Sequence, residues 1–131
     1  MKNENKYAVK KLEKAFNRLD KGAQSAKGDL QKDGVIQRFE FTFELLWKTL
    51  KIFLEYKGVT AKTPRDCLKE AFRIDLINDE GTFLNMLEDR NLTSHIYDEE
   101  TSEKIFKRIK KNYITAIKKV IESLKRESVS E

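Results

Sequence analysis

One proline and five glycines in 131 residues leave little to interrupt a helix, and the apolar residues recur at helical spacing nearly from end to end. Leu12, Phe16, Leu19, Ala23 and Ala26 line one face of a first helix, and Asp33-Gly34 reads as the turn that ends it. Ile36, Phe39, Phe43, Leu46, Trp47, Leu50 and Leu54 then form a broad stripe that runs to a C-capping Gly58. In Thr63-Pro64-Arg65-Asp66 a capping hydroxyl, a first-turn proline and an acid three residues after the cap start a short helix that reaches Arg73. Asn78 or Asp79 caps a fourth helix, with Phe83, Leu84, Met86, Leu87 and Leu92 inward. A fifth begins near Asp98 or Thr101 and continues through Ile105, Ile109, Tyr113, Ala116, Ile117, Val120 and Leu124. No strand pattern, repeat or low-complexity linker intervenes, and only the terminal ESVSE reads as frayed. The expectation is an all-α, up-and-down antiparallel bundle of about five helices, forming one domain over residues 1–131.

The second helix is apolar over more of its circumference than one core requires. Phe41, Leu45 and Ile52 lie off its main stripe, and excess apolar surface of this kind is most simply covered by a second copy of the chain. The predicted assembly is therefore a homodimer.

The formal charge is +5, but its distribution matters more. Asp75 to Glu103 holds nine acids and one base, whereas Lys104 to Arg126 holds nine bases and one acid. Two readings of this charge stand: solvated helix faces and attraction between the two blocks, expected for most of it, and a phosphate-attracting stripe of a minority of the cations on the last helix; composition alone does not separate them. The lone Cys67 can form no internal disulfide and is expected as core filler. No apolar N-terminal stretch follows MKNENK, and no segment is long and apolar enough to span a bilayer, so the expected location is the cytoplasm with no membrane association.

One histidine and one cysteine do not make a zinc cluster, and neither a glycine-rich phosphate loop nor a Gly-x-Ser-x-Gly elbow is present. No cofactor is expected. Glu40 and Glu44 stand one helical turn apart, as metal-binding carboxylates do, but no Glu-x-x-His element accompanies them, so salt bridging is the expected role. Trp47 falls on the apolar stripe and is expected in the core.

The stretch RNLTSHIY, residues 90 to 97, contains the chain's single histidine, His95, between Arg90 and Tyr97. Imidazole exchanges a proton near neutral pH, and guanidinium offers a fixed fork of donors to phosphate oxygens. Metal-free RNA cleavage needs these chemistries: a base for the ribose 2′-hydroxyl, an acid for the leaving oxygen and a cation on the phosphate. One chain has one histidine, whereas a two-fold dimer would bring two to a shared cleft. Asn91 and His95 share a helix face at i and i+4, but Arg90 and His95 stand roughly 140° apart around a continuous helix. They converge only if the helix ends near Ser94 or if both subunits contribute. Spacing alone leaves two readings open, a reactive site or a polar helix end in which Arg90 pairs with an acid.

RNLTSHIY matches the Arg-x4-His-x-Tyr motif of the HEPN superfamily. Together with GVIQRFEFTFELLWKTLK, TPRDCLKEAF and LEDRNLTSHIYDEE, it makes the chain, from about residue 7 to 125, resemble the HEPN proteins described as substrate-binding subunits of minimal nucleotidyltransferases. The resemblance implies a dimeric helical bundle acting as a metal-independent endoribonuclease toxin, with Arg90 and His95 catalytic and Asn91 a polar helper. It also implies a nucleotidyltransferase antitoxin as partner, which transfers AMP to Tyr97, and RNA as substrate. An alternative from another class is a non-catalytic subunit that presents a substrate or nucleotide to the transferase. A helical interaction module is a third.

Overall fold

The computed structural model describes residues 2–94 and 98–130. Its elements are α1 (Lys2–Ser25), α2 (Gly28–Tyr56), α3 (Pro64–Arg73), α4 (Glu80–Thr93), α5 (Glu99–Arg108), a π-helical turn (Ile109–Tyr113) and α6 (Ile114–Ser130). The last three join without a break, since Ile109 and Ile114 both keep right-handed helical backbone angles. Five helical rods result, and no strand occurs among the described residues.

Contacts between the rods show their antiparallel course. Arg38 donates to the Arg18 carbonyl at 3.0 Å and Thr42 to the Ala15 carbonyl at 3.4 Å, so rising numbers in α2 meet falling numbers in α1. The final rod returns beside α1, where Lys125 pairs with Glu13 at 2.6 Å. Leu12, Phe39, Phe43, Leu50, Ile105 and Ile117 are fully buried in one continuous core. Each buried leucine or phenylalanine contributes about 1.5–3 kcal/mol, which makes this stripe the main source of stability.

The expected caps form. Thr63 accepts from the Asp66 amide at 3.1 Å, Asp79 from the Thr82 amide at 3.1 Å, and Asp98 from the Thr101 amide at 2.7 Å. Gly58, with φ of +80°, follows the end of α2 in the left-handed conformation that an L side chain rarely adopts.

Three expectations are corrected. Asp33-Gly34 is no turn, because α2 runs straight through it and the break lies at Ala26-Lys27, with Gly28 at φ +75°. One glycine inside a helix costs about 1 kcal/mol, and the extra turns are tied down by Lys32, which pairs with Glu103 at 3.0 Å. Leu92 is 48 % exposed, because α4 ends a residue later and turns this side chain outward. The final rod stays helical through Ser130, with Ser128 buried and Lys57 pairing with Glu127 at 2.5 Å, so Glu127 and Ser128 are held rather than frayed. No helix among the described residues is long and apolar enough to cross a membrane.

Candidate functional site

Arg90 lies in the last turn of α4, which ends at Thr93 with Ser94 as C-cap. Two hydroxyls close this end: Thr93 donates to the Arg90 carbonyl at 2.6 Å and Ser94 to the Asn91 carbonyl at 3.2 Å. Such bonds satisfy carbonyls that a helix end leaves without intrahelical partners. The helix therefore stops where the spacing of Arg90 and His95 requires it to stop if the two are to converge within one chain. His95 and Tyr97 themselves lie outside the described residues.

The guanidinium of Arg90 is held on two sides. Its Nη2 donates to Glu44 Oε1 across the α2–α4 contact, and its Nη1 donates to Asn91 Oδ1 at 3.3 Å. Glu44 in turn accepts from Trp47 Nε1 at 3.1 Å and pairs with Lys48 at 3.7 Å. Two cations thus share one carboxylate. The side chains of Arg90 and Glu44 are 36 % and 29 % exposed, so the pair is open to solvent and its attraction is screened. The expected salt-bridging role is observed for Glu44, and Trp47, packed against the core, serves as a donor that fixes it. Cys67 is buried as expected; burial raises its thiol pKa and keeps it unreactive.

Directly behind this site is a cluster that the sequence did not disclose. Asp89 is 5 % exposed and accepts from Arg108 Nε and Nη2, both at 2.8 Å, and from the Tyr113 hydroxyl at 2.5 Å. Burial, then the adjacent carboxylate, pushes the Tyr113 phenol well above its ordinary pKa, and the hydrogen bond to Asp89 raises that of Arg108. Arg108 and Tyr113 are five residues apart, a separation that in an α-helix points side chains in different directions. The π-helical turn between them widens the helix by about one residue per turn and brings both onto Asp89. No one-dimensional spacing announces this, and Tyr113 read simply as one member of the core stripe.

The cluster also shows how the two charge blocks meet. Asp89 and Glu100, from the acidic block, pair with Arg108 and Lys104 from the basic one, and Asp98 is turned back to cap α5. The acid nearest Arg90 in sequence is neutralised from behind rather than facing the site. Among the described residues no group of three or more His, Cys, Asp or Glu side chains is placed to hold a metal ion.

Comparison with known proteins agrees with this architecture. A Haemophilus influenzae protein named "Probable ribonuclease HepT" is 36 % identical over 81 residues, which are 58 % of this chain and 56 % of that protein. The chain thus spans little more than half the length of that relative. A crystal structure from Thermus thermophilus superposes with a TM-score of 0.75 at 30 % identity, covering 89 % of this chain and 98 % of the other. A structure from H. influenzae, described as revealing the fold of a substrate binding domain of a nucleotidyltransferase, superposes with a TM-score of 0.69 at 27 % identity, covering 95 % of this chain and 99 % of the other. The model of the nucleotidyltransferase substrate binding protein-like family matches residues 5–126, and the chain, an all-helical bundle in line with its HEPN-type sequence motif, belongs to that family.

Proposed function

We propose that this protein is a metal-independent endoribonuclease acting as a homodimer, restrained by a nucleotidyltransferase partner that transfers AMP to Tyr97. The observation that carries the reading is the paired Arg90 and Asn91 at a helix end, immediately before His95, with Glu44 holding the arginine fork. The relative named as a ribonuclease and the match to a nucleotidyltransferase-associated family support it.

In this mechanism one His95 takes the proton of a ribose 2′-hydroxyl. The freed oxygen attacks the adjacent phosphorus, and the P–O5′ bond breaks as His95 of the partner subunit gives a proton to the leaving oxygen. The products are a 2′,3′-cyclic phosphate and a 5′-hydroxyl. Arg90 stabilises the added negative charge on the phosphoryl oxygens. In the regulatory step the Tyr97 phenol oxygen attacks the α-phosphorus of ATP and pyrophosphate leaves. The new phosphate and nucleoside then stand two residues from His95, where RNA must place its own phosphate. A second copy is seated along the later turns of α2, where Ile52 is only partly buried.

One observation favours a second reading, a non-catalytic subunit that presents a substrate to the transferase: the charge of Arg90 is already answered by Glu44. RNA cleavage by the purified protein, with and without EDTA and with and without the partner plus ATP, decides between the two. Metal-independent cleavage that stops after AMP transfer supports the enzyme. RNA left intact by wild type and by the His95→Ala variant alike leaves the presenting subunit.

A further inference from the structure

A groove of about 490 Å³ lies between α1 and α2, away from the Arg90–Glu44 contact. Lys11, Lys14 and Arg18 recur at three- and four-residue steps along one side of α1, and Arg38, Phe41 and Leu45 face them from α2. None of the described residues lining it is acidic. All four cations are exposed, and Arg38 is anchored at one end by its bond to the Arg18 carbonyl at 3.0 Å. Phe41 is 60 % exposed, and Tyr7, one turn before Lys11 on α1, is 65 % exposed with the Lys11 ammonium 5.4 Å from its ring centre.

Lysines on an open helix face are ordinarily just solvated. Here four cations converge on a concave surface without a lining carboxylate, with the ring of Phe41 among them and that of Tyr7 a turn beyond on α1. Cations answer phosphates, and exposed rings offer faces on which unpaired bases stack. A duplex buries its base faces, so this combination suits a single strand. We propose that the α1–α2 groove binds single-stranded RNA, with Lys11, Lys14, Arg18 and Arg38 on the phosphates and Phe41 stacked against a base. The identity of the strand rests on the RNA-cleaving reading given above; the groove would hold the substrate outside the bond that is cut. Phe41, Glu44 and Lys48 follow one another along α2 at three- and four-residue steps, so the groove and the Arg90 site flank the same exposed ridge.

The test is binding of a dye-labelled single-stranded 12-mer RNA to the full chain carrying His95→Ala, followed by fluorescence anisotropy over a range of salt. Each phosphate contact to a single strand adds about 0.7 to the slope of log affinity against log salt, so combining Lys11→Gln, Lys14→Gln and Arg18→Gln should lower the slope by about 2. Phe41→Ala should weaken binding about tenfold or more with the slope unchanged. Poly-L-glutamate should compete poorly, having charge but no bases. If the triple variant does not fold, protection of Lys11 and Lys14 from acetylation by bound RNA in the otherwise unaltered chain tests the same contacts.

An unchanged slope, no effect of Phe41→Ala, equal binding of poly-L-glutamate or unprotected lysines would overturn the proposal. So would sedimentation showing that the groove variants lose self-association while keeping RNA affinity, since the occupant would then be a second copy meeting this surface at Phe41. Cleavage enters none of these readouts. RNA held by the groove of a chain whose wild type never cuts RNA would refute the proposed reaction and leave the groove standing.

Discussion

Arg90 is held by Glu44 and Asn91, and a cation fixed in this way loses little freedom when it meets a phosphate. His95→Ala should lower RNA cleavage by about 10²- to 10⁴-fold, the usual loss for one general acid or base, with the thermal midpoint close to wild type. EDTA should not affect the wild type; activity lost on chelation would sink the metal-free mechanism. Tyr97 gives an independent test. Incubation with the partner, ATP and magnesium should add AMP, which peptide fragmentation should map to Tyr97, and Tyr97→Phe should accept none. Label on another residue would remove Tyr97 from the scheme. At this scale the sequence was informative where a structural role follows from short-range spacing: the capping roles of Thr63, Asp79 and Asp98 follow from their positions before helical runs, and the residues proposed for the site, Arg90, Asn91, His95 and Tyr97, stand within eight residues. The partner of Arg90 was not legible, because Glu44 is distant in sequence and only the packing of α2 against α4 joins them.

At the scale of elements, the π-helical turn has the clearest consequences. It points Arg108 and Tyr113 at Asp89, the residue before Arg90, and so joins the last rod to the end of α4. Asp89→Ala would leave the Tyr113 hydroxyl buried without its acceptor and Arg108 without its partner. Thermal unfolding should show a loss of about 3 kcal/mol, at the low end for a broken buried pair because Arg108 reaches water. A change below about 0.5 kcal/mol would show that the cluster contributes nothing to stability. The network also sets an alkaline limit. The folded-state pKa of Tyr113 lies above the ordinary 10.0, so the fold holds this proton more tightly than the unfolded chain does. Its contribution is complete below pH 10 and is lost as pH rises further towards the folded value. Denaturant midpoints should fall above pH 10 in wild type and fall less in Tyr113→Phe. Helix starts could be read from the sequence because their signals are local. The continuation of α2 through Asp33-Gly34 could not, since a tertiary tie, Lys32 to Glu103, outweighs a modest glycine cost.

At the scale of the whole molecule, the core is satisfied within one chain, yet the outer side of α2 is not. Ile52, about two turns beyond Glu44 on α2, is half-covered and leaves an apolar side chain for a partner to bury. A two-fold pairing over this face would bury it, and two chains together would supply the acid and the base that one histidine cannot supply alone. Sedimentation at micromolar concentration should therefore show a dimer. Ile52 gives the cleanest probe, because it lies on this face but outside the α1–α2 groove, and its partial exposure lets a charge be added without unfolding the bundle. Ile52→Glu should leave the helical spectrum and melting cooperativity intact while shifting the species to monomer. It should also abolish cleavage even though His95 and Arg90 are untouched. Mixing it with His95→Ala chains should restore no activity, because neither variant can form a pair with two working histidines. A wild-type monomer, or an Ile52→Glu monomer that still cleaves RNA, would mean that a single chain supplies both proton-transfer groups and that the apolar face of α2 serves another partner.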